Sequence, residues 1–140
     1  MATFNKFNPF VEALAEKKHN LGADTLKVML VNTAPSAANG VKADLTEIAA
    51  GNGYTAGGNT ASITSSSQTS GTYKLVLGDP ATWTATGGTI GPFRYAVLYN
   101  DTATDDDLVG YWDYGSNVTL NAGETFTLDF DPSTGVLTLV

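Results

Sequence analysis

Phe93-Arg94-Tyr95-Ala96-Val97-Leu98-Tyr99 is the stretch on which the fold turns. Its side chains alternate, with Phe93, Tyr95, Val97 and Tyr99 facing one way and Arg94, Ala96 and Leu98 the other. A period of two describes a strand and not a helix. The same period recurs on both sides. Leu26, Val28 and Leu30 alternate with Lys27, Met29 and Val31, and Tyr73, Leu75 and Leu77 alternate with Thr72, Lys74 and Val76. Further strands are expected at Ser62–Thr64, at Ala81–Thr86 around Trp83, at Leu108–Tyr114, at Val118–Leu120, at Phe126–Phe130 and at Val136–Val140, the last as a hairpin strand after the turn Asp131-Pro132-Ser133-Thr134-Gly135.

The one helical signal lies at the N-terminus. Asn8 suits a cap, Pro9 suits the first helical position, and Gly22 suits the residue after the end, which predicts a helix from about Pro9 to Asn20. Asp44 to Ala50 reads as a short helical turn capped by Asp44. Gly51-Asn52-Gly53-Tyr54-Thr55-Ala56-Gly57-Gly58-Asn59 reads as a flexible loop that presents Tyr54 to a partner. The expected fold is mainly β: an antiparallel β-sandwich or jelly roll with a short N-terminal helix. The 140 residues form one domain, with residues 1–22 as an arm and helix packed on it.

Composition narrows the function. Fourteen acidic residues oppose seven basic ones, for a formal charge of −7. Arg94 is the only arginine and the lysines are scattered, so direct nucleic-acid binding would meet repulsion from the phosphates. There is no cysteine, hence neither a disulfide framework nor a thiolate metal site. Met1 to Lys6 lacks the order of a secretory signal, and no apolar run has the length of a membrane span. The expectation is a chain left in the cytoplasm or assembled there into something larger.

Catalytic readings are thin. His19 is the only histidine, so a Ser-His-acid arrangement would need it, and a multi-histidine zinc site is ruled out. Asp101, Asp105, Asp106 and Asp107 crowd one loop; they are a weak Ca²⁺ candidate without the spacing of a helix-loop-helix calcium site, and a solvated loop tip is the plainer reading. The glycines between Gly51 and Gly58 lack the lysine and following helix of a phosphate loop. Tyr111 and Trp112 are neighbours in a strand and must point to opposite faces, which leaves one of them for a binding surface. Phe4, Phe7 and Phe10 sit in the N-terminal arm, either packed on the sandwich or as an apolar arm that orders on docking. No catalytic residue and no cofactor is expected. The expected partner-binding residues are Phe4, Phe7, Tyr54, Tyr111 and Trp112.

Three stretches resemble a group of small structural proteins of tailed bacteriophages: His19-Asn20-Leu21-Gly22-Ala23-Asp24-Thr25-Leu26-Lys27-Val28; Glu47 to Gly58; and Tyr95 to Asp113, with the form YAVLYND…LVGYWD. The similarity is closest to capsid decoration or cement proteins. The resemblance implies a sandwich or jelly roll on the capsid exterior as a dimer or trimer, with the major capsid protein as partner and with neither nucleic acid nor membrane bound. It carries over no catalytic residues. The alternative is a minor tail or fibre module that binds host glycans on a Trp112 or Tyr111 platform; a small hydrolase using Asp residues is the third reading.

Overall fold

The computed structural model describes residues 2–140. In chain order the elements are β1 (Asn5–Lys6), α1 (Asn8–Ala15), β2 (Leu26–Val31), a 3₁₀ turn at Lys42–Asp44, β3 (Asn59–Ala61), β4 (Ile63–Thr69), β5 (Thr72–Leu77), β6 (Trp83–Thr84), β7 (Ile90–Asn100), β8 (Leu108–Leu120), β9 (Thr125–Phe126) and β10 (Leu137–Leu139). They form a five-stranded sheet in the order β1-β8-β7-β2-β3, a three-stranded sheet β10-β5-β4, and a β6-β9 pair. Every pairing is antiparallel.

The stretch that decides the fold is the middle of the large sheet. Val97 lies between Met29 and Tyr111, Ala96 between Leu30 and Trp112, and Tyr95 between Val31 and Asp113. Cross-strand partners point to the same side, so these trios line alternate faces. Both faces are covered: Val97 and Leu98 are fully buried although they point in opposite directions. Sequences of this kind read as a continuous apolar run, as Ala96-Val97-Leu98-Tyr99 does. Leu75, Leu77 and Leu137 of the small sheet and Trp83 of the pair join Val28, Leu30 and Leu98 in one buried cluster, so the sheets share a core in the manner of a β-sandwich.

Several boundaries differ from expectation, each for a local reason. The helix stops at Ala15, not Asn20. Lys17 adopts φ 70°, and Lys17 N and Lys18 N donate to the carbonyls of Leu14 and Ala13 at 3.3 and 2.9 Å, which closes the helix in a Schellman arrangement. Gly22 therefore is not the stop signal. Nor is Asn8 the cap; it lies inside the helix, and Phe7 precedes it without a side-chain cap. Asp44 ends the 3₁₀ turn and does not open a helix, accepting from Gly40 N and Val41 N at 2.8 and 3.2 Å. The residues after it run extended, with Glu47 bridged to Val31 and Ile48 N donating to Leu30 O.

Leu108 to Leu120 is one strand and not two. Between its pairings with Tyr95 and Phe93 of β7, β8 runs five residues on, from Asp113 to Val118, while β7 runs back only two, which throws Tyr114 to Asn117 out as a bulge. The strand around Trp83 shrinks to Trp83–Thr84. The strand expected at Phe126–Phe130 ends at Phe126, because Phe130 N donates to Asp79 Oδ1 at 2.7 Å and not to a ladder. Val136–Val140 does not fold back on it as a hairpin. Asp131 turns the chain by accepting from Ser133 N and Thr134 N, and Leu137–Leu139 then pairs with β5.

Candidate functional site

Four of the five expected binding residues lie along the β1–β8 pairing, as two aromatic pairs on opposite faces of the sheet. β1 lies along β8 with Asn5 opposite Tyr111 and Lys6 opposite Gly110, and Phe7 N donates to Val109 O at 3.2 Å. The adjacent side chains divide between the two faces of the sheet, as strand geometry requires. Phe7 packs on Tyr111 with ring centroids 5.2 Å apart, and Phe4 packs on Trp112 at 5.2 Å. Phe4 reaches Trp112 because Gly110 has no side chain; a Cβ there would lie 2.3 Å from the Phe4 ring. Phe130, from the strap between β9 and β10, covers Trp112 from another side at 5.2 Å.

Arm and strap together enclose a groove of about 270 Å³ whose apolar wall is Phe4, Trp112, Leu128, Phe130 and Val136, with Asp129, Asp131 and Thr134 at its rim. The backbone N–H groups of Ser133 and Thr134 hold the Asp131 carboxyl below the usual carboxylate range, so the rim keeps a negative charge. Phe4, Tyr111 and Trp112 are half-buried, while Phe7 is fully buried and serves as the anchor of the arm, not as a contact residue. Leu128 and Phe130 escaped the sequence reading because they alternate like strand residues; nothing local showed that Asp79, distant in sequence, would take the Phe130 amide.

Tyr54 is elsewhere, and the expectation that it is presented to a partner is corrected. It is 2% exposed. Its hydroxyl donates to Glu47 Oε1 at 2.6 Å and accepts from Leu30 N at 3.0 Å. Glu47 Oε1 also accepts from Gly57 N at 2.6 Å, and the Tyr99 hydroxyl donates to Gly57 O at 2.6 Å. Burial raises both tyrosine pKa values far above the usual range, with hydrogen bonding to Glu47 adding to the effect at Tyr54. The glycine-rich segment is thus a fixed track along the edge of β2. Gly58, at φ 74°, passes so close that a Cβ would lie 1.8 Å from Val28 O.

The four aspartates of the acidic loop do not converge. Asp101 pairs with Lys27 at 3.2 Å, and the buried Asp107 approaches Lys18 at 3.7 Å. Among the described residues no three His, Asp or Glu side chains are grouped as a metal site, so the Ca²⁺ reading finds no ligand set.

His19 is 6% exposed and belongs to a buried bolt at the end of β7. Asn100 Oδ1 accepts from Thr102 N and Ala103 N, which fixes its amide; Nδ2 then donates to Asp24 Oδ2 at 2.7 Å and to His19 Nδ1 at 3.0 Å. That leaves the proton of neutral His19 on Nε2. Desolvation lowers the His19 pKa against the opposing pull of Asp107 and Asp24. Among the described residues no serine or threonine hydroxyl bonds the ring, and its Nε2 is buried without a hydrogen-bond partner. His19 also lines the larger, open cleft of about 560 Å³ between the helix end and β4, with Leu14, Lys17, Lys18, Tyr73 and Leu139.

No family model, no curated protein and no solved structure matches this chain. No helix of the described residues is long and apolar enough to cross a membrane.

Proposed function

We propose that this chain is a non-enzymatic virion structural protein of the tailed-phage decoration or cement type. In this reading it binds the outside of the assembled head shell, with the major capsid protein as partner and copies of itself as neighbours, and it is added in the host cytoplasm. The observation that carries the reading is the apolar groove where arm, strap and β8 meet. It offers half-buried aromatic anchors, Phe4 and Trp112, in an apolar groove, and a few aromatic anchors seated in such a groove carry most of the energy of a protein interface. Many such contacts, repeated over a symmetric shell, hold tightly even where each is weak.

The three phage-like stretches support the same reading. Glu47 to Gly58 locks to Tyr99, and His19 to Val28 bolts to Asn100. Both anchor residues belong to the stretch Tyr95 to Asp113, so the resembling residues build one rigid frame. The test is binding of purified protein to shells that lack it, beside quantitative mass spectrometry of particles. Hundreds of copies on the shell and little affinity for unassembled coat protein support head decoration. A handful of copies at the tail, or no shell binding, rejects it.

The glycan-binding alternative draws on Tyr114, which is 59% exposed on the bulge. Trp112 serves it poorly, since Phe4 and Phe130 both lie against the indole. A glycan signal that is lost on Tyr114→Ala and unaffected by changes in the arm would favour the alternative.

A further inference from the structure

We propose that the outer edge of β4 is a self-pairing edge, where a second copy of this chain adds its own β4 antiparallel across a two-fold axis and doubles the three-stranded sheet. β4 is the end strand of the order β10-β5-β4, and among the described residues no strand lies beyond it. From Ser65 to Thr69 it keeps uninterrupted register with Val76 to Thr72. The hairpin closes through Ser70 and Gly71, both with positive φ (51° and 86°), and a Cβ at Gly71 would meet nothing within 4 Å.

The other edges are less available. The β2 edge past β3 is occupied by Tyr54, Glu47 and Ile48. The β8 edge is partly held by β1 and broken by the Tyr114–Asn117 bulge. β3 and β10 have three residues each. Folded proteins usually defend a straight edge with lysine, proline or a twist. β4 has only its bulge between Ile63 and Ser65, at the end far from the open run.

Charge selects the partner. The chain carries −7, so two copies repel unless they meet where that charge is absent. From Ile48 to Tyr73 there is no Asp, Glu, Lys or Arg, and β4 lies inside that run. Pairing about Ser66 would set Ser66 against its own copy and Ser65 against Ser67. These small or neutral side chains can exchange hydrogen bonds, and a two-fold makes any antiparallel edge complementary to itself. This inference deepens the proposed function, which sets copies of the chain beside one another, by naming the edge they share; its test needs no shells, so shell binding and self-pairing can each fail alone.

The test uses the full chain. Sedimentation across a wide concentration range should show a reversible dimer. Ser67→Lys, which brings charge to the edge, should weaken it by about tenfold or more, whereas Thr138→Lys on β10 should not. The chain has no cysteine, so single substitutions to Cys at each position from Thr64 to Thr69 can be scanned for intermolecular disulfides. Cross-linking should peak at one residue of β4, since paired Cα atoms about 4.5–5.5 Å apart suit the bond. If Ser67→Lys fails to fold, the scan decides. A monomer at every concentration, or a dimer that neither weakens with Ser67→Lys nor cross-links within β4, overturns the proposal.

Discussion

The two long edges of the five-stranded sheet face the same problem and solve it differently. At β2, ladder pairing with β3 ends at Val28, and side chains take over: the Tyr54 hydroxyl accepts the Leu30 amide, and Glu47 ties Tyr54 to Gly57. At β8 the chain lays its own first residues on the edge, pairs them only at Gly110 and Tyr111, and then lets the strand bulge. A charge-assisted network whose tyrosine is buried is rigid, and it uses the Tyr54 hydroxyl and the Leu30 and Gly57 amides internally. A short arm anchored by Phe7 leaves Phe4 and Trp112 half-exposed in the groove and in reach of a partner. The first edge is built for stability and the second for contact.

The largest effect should come from unlocking the β2 edge. Glu47→Ala leaves the Tyr54 hydroxyl and Gly57 N–H without their acceptor, and is expected to remove about 3 kcal/mol of unfolding free energy in denaturant titrations. Glu47→Gln keeps an acceptor oxygen and should recover much of that. Equal losses from both would mean that the carboxylate charge, and not acceptor geometry, holds the lock.

At the other edge, Phe4→Ala should cost about 1–2 kcal/mol, less than a fully buried phenylalanine because the ring is half-exposed. It should also weaken shell binding. A double-mutant cycle with Trp112→Ala should give a coupling of about 1 kcal/mol. A loss as large as that of Glu47→Ala would erase the contrast between the edges.

Acid should reach the Asn100 bolt before the surface carboxylates. His19 has a folded pKa below its ordinary value of 6.5, so the unfolded chain takes up its proton first. Stability should be level above that pH, should fall as pH drops from 6.5 to the lowered folded value, and should gain no further loss from this group below it. Asp44, Asp113 and Asp131, all lowered by hydrogen bonds, lose their contribution only in a separate window below their ordinary 3.8. The first window should be missing in His19→Phe. The smallest effect belongs to the bulge: Tyr114→Ser should change stability by no more than about 0.5 kcal/mol.

Much of this architecture is legible from alternation alone. Leu26 to Val31, Tyr73 to Leu77 and Phe93 to Tyr99 all stand in strands where their period puts them. Of the candidate site, Phe4 and Trp112 share the groove, while Phe7 and Tyr111 pair on the other face of the sheet. What local sequence cannot express is where a distant partner waits. A glycine-rich run permits both a loose loop and a tightly guided one; Val28 O, within 2 Å of where a Gly58 Cβ would sit, makes it the second. The aspartates look like one cluster in sequence, but Lys18 and Lys27 draw them apart. The strap at Leu128 and Phe130 carries a strand's alternation while Asp79 captures its amide.

Hydrogen exchange of the protein, free and bound to shells, tests the division between the two edges most directly. The account predicts slow exchange at Leu30 and Gly57 in both states, with new protection on binding confined to residues 2–6, the strap 127–136 and β8 near Trp112. New protection centred on 47–58 with the arm and strap unchanged, or no binding-dependent change at all, would contradict it.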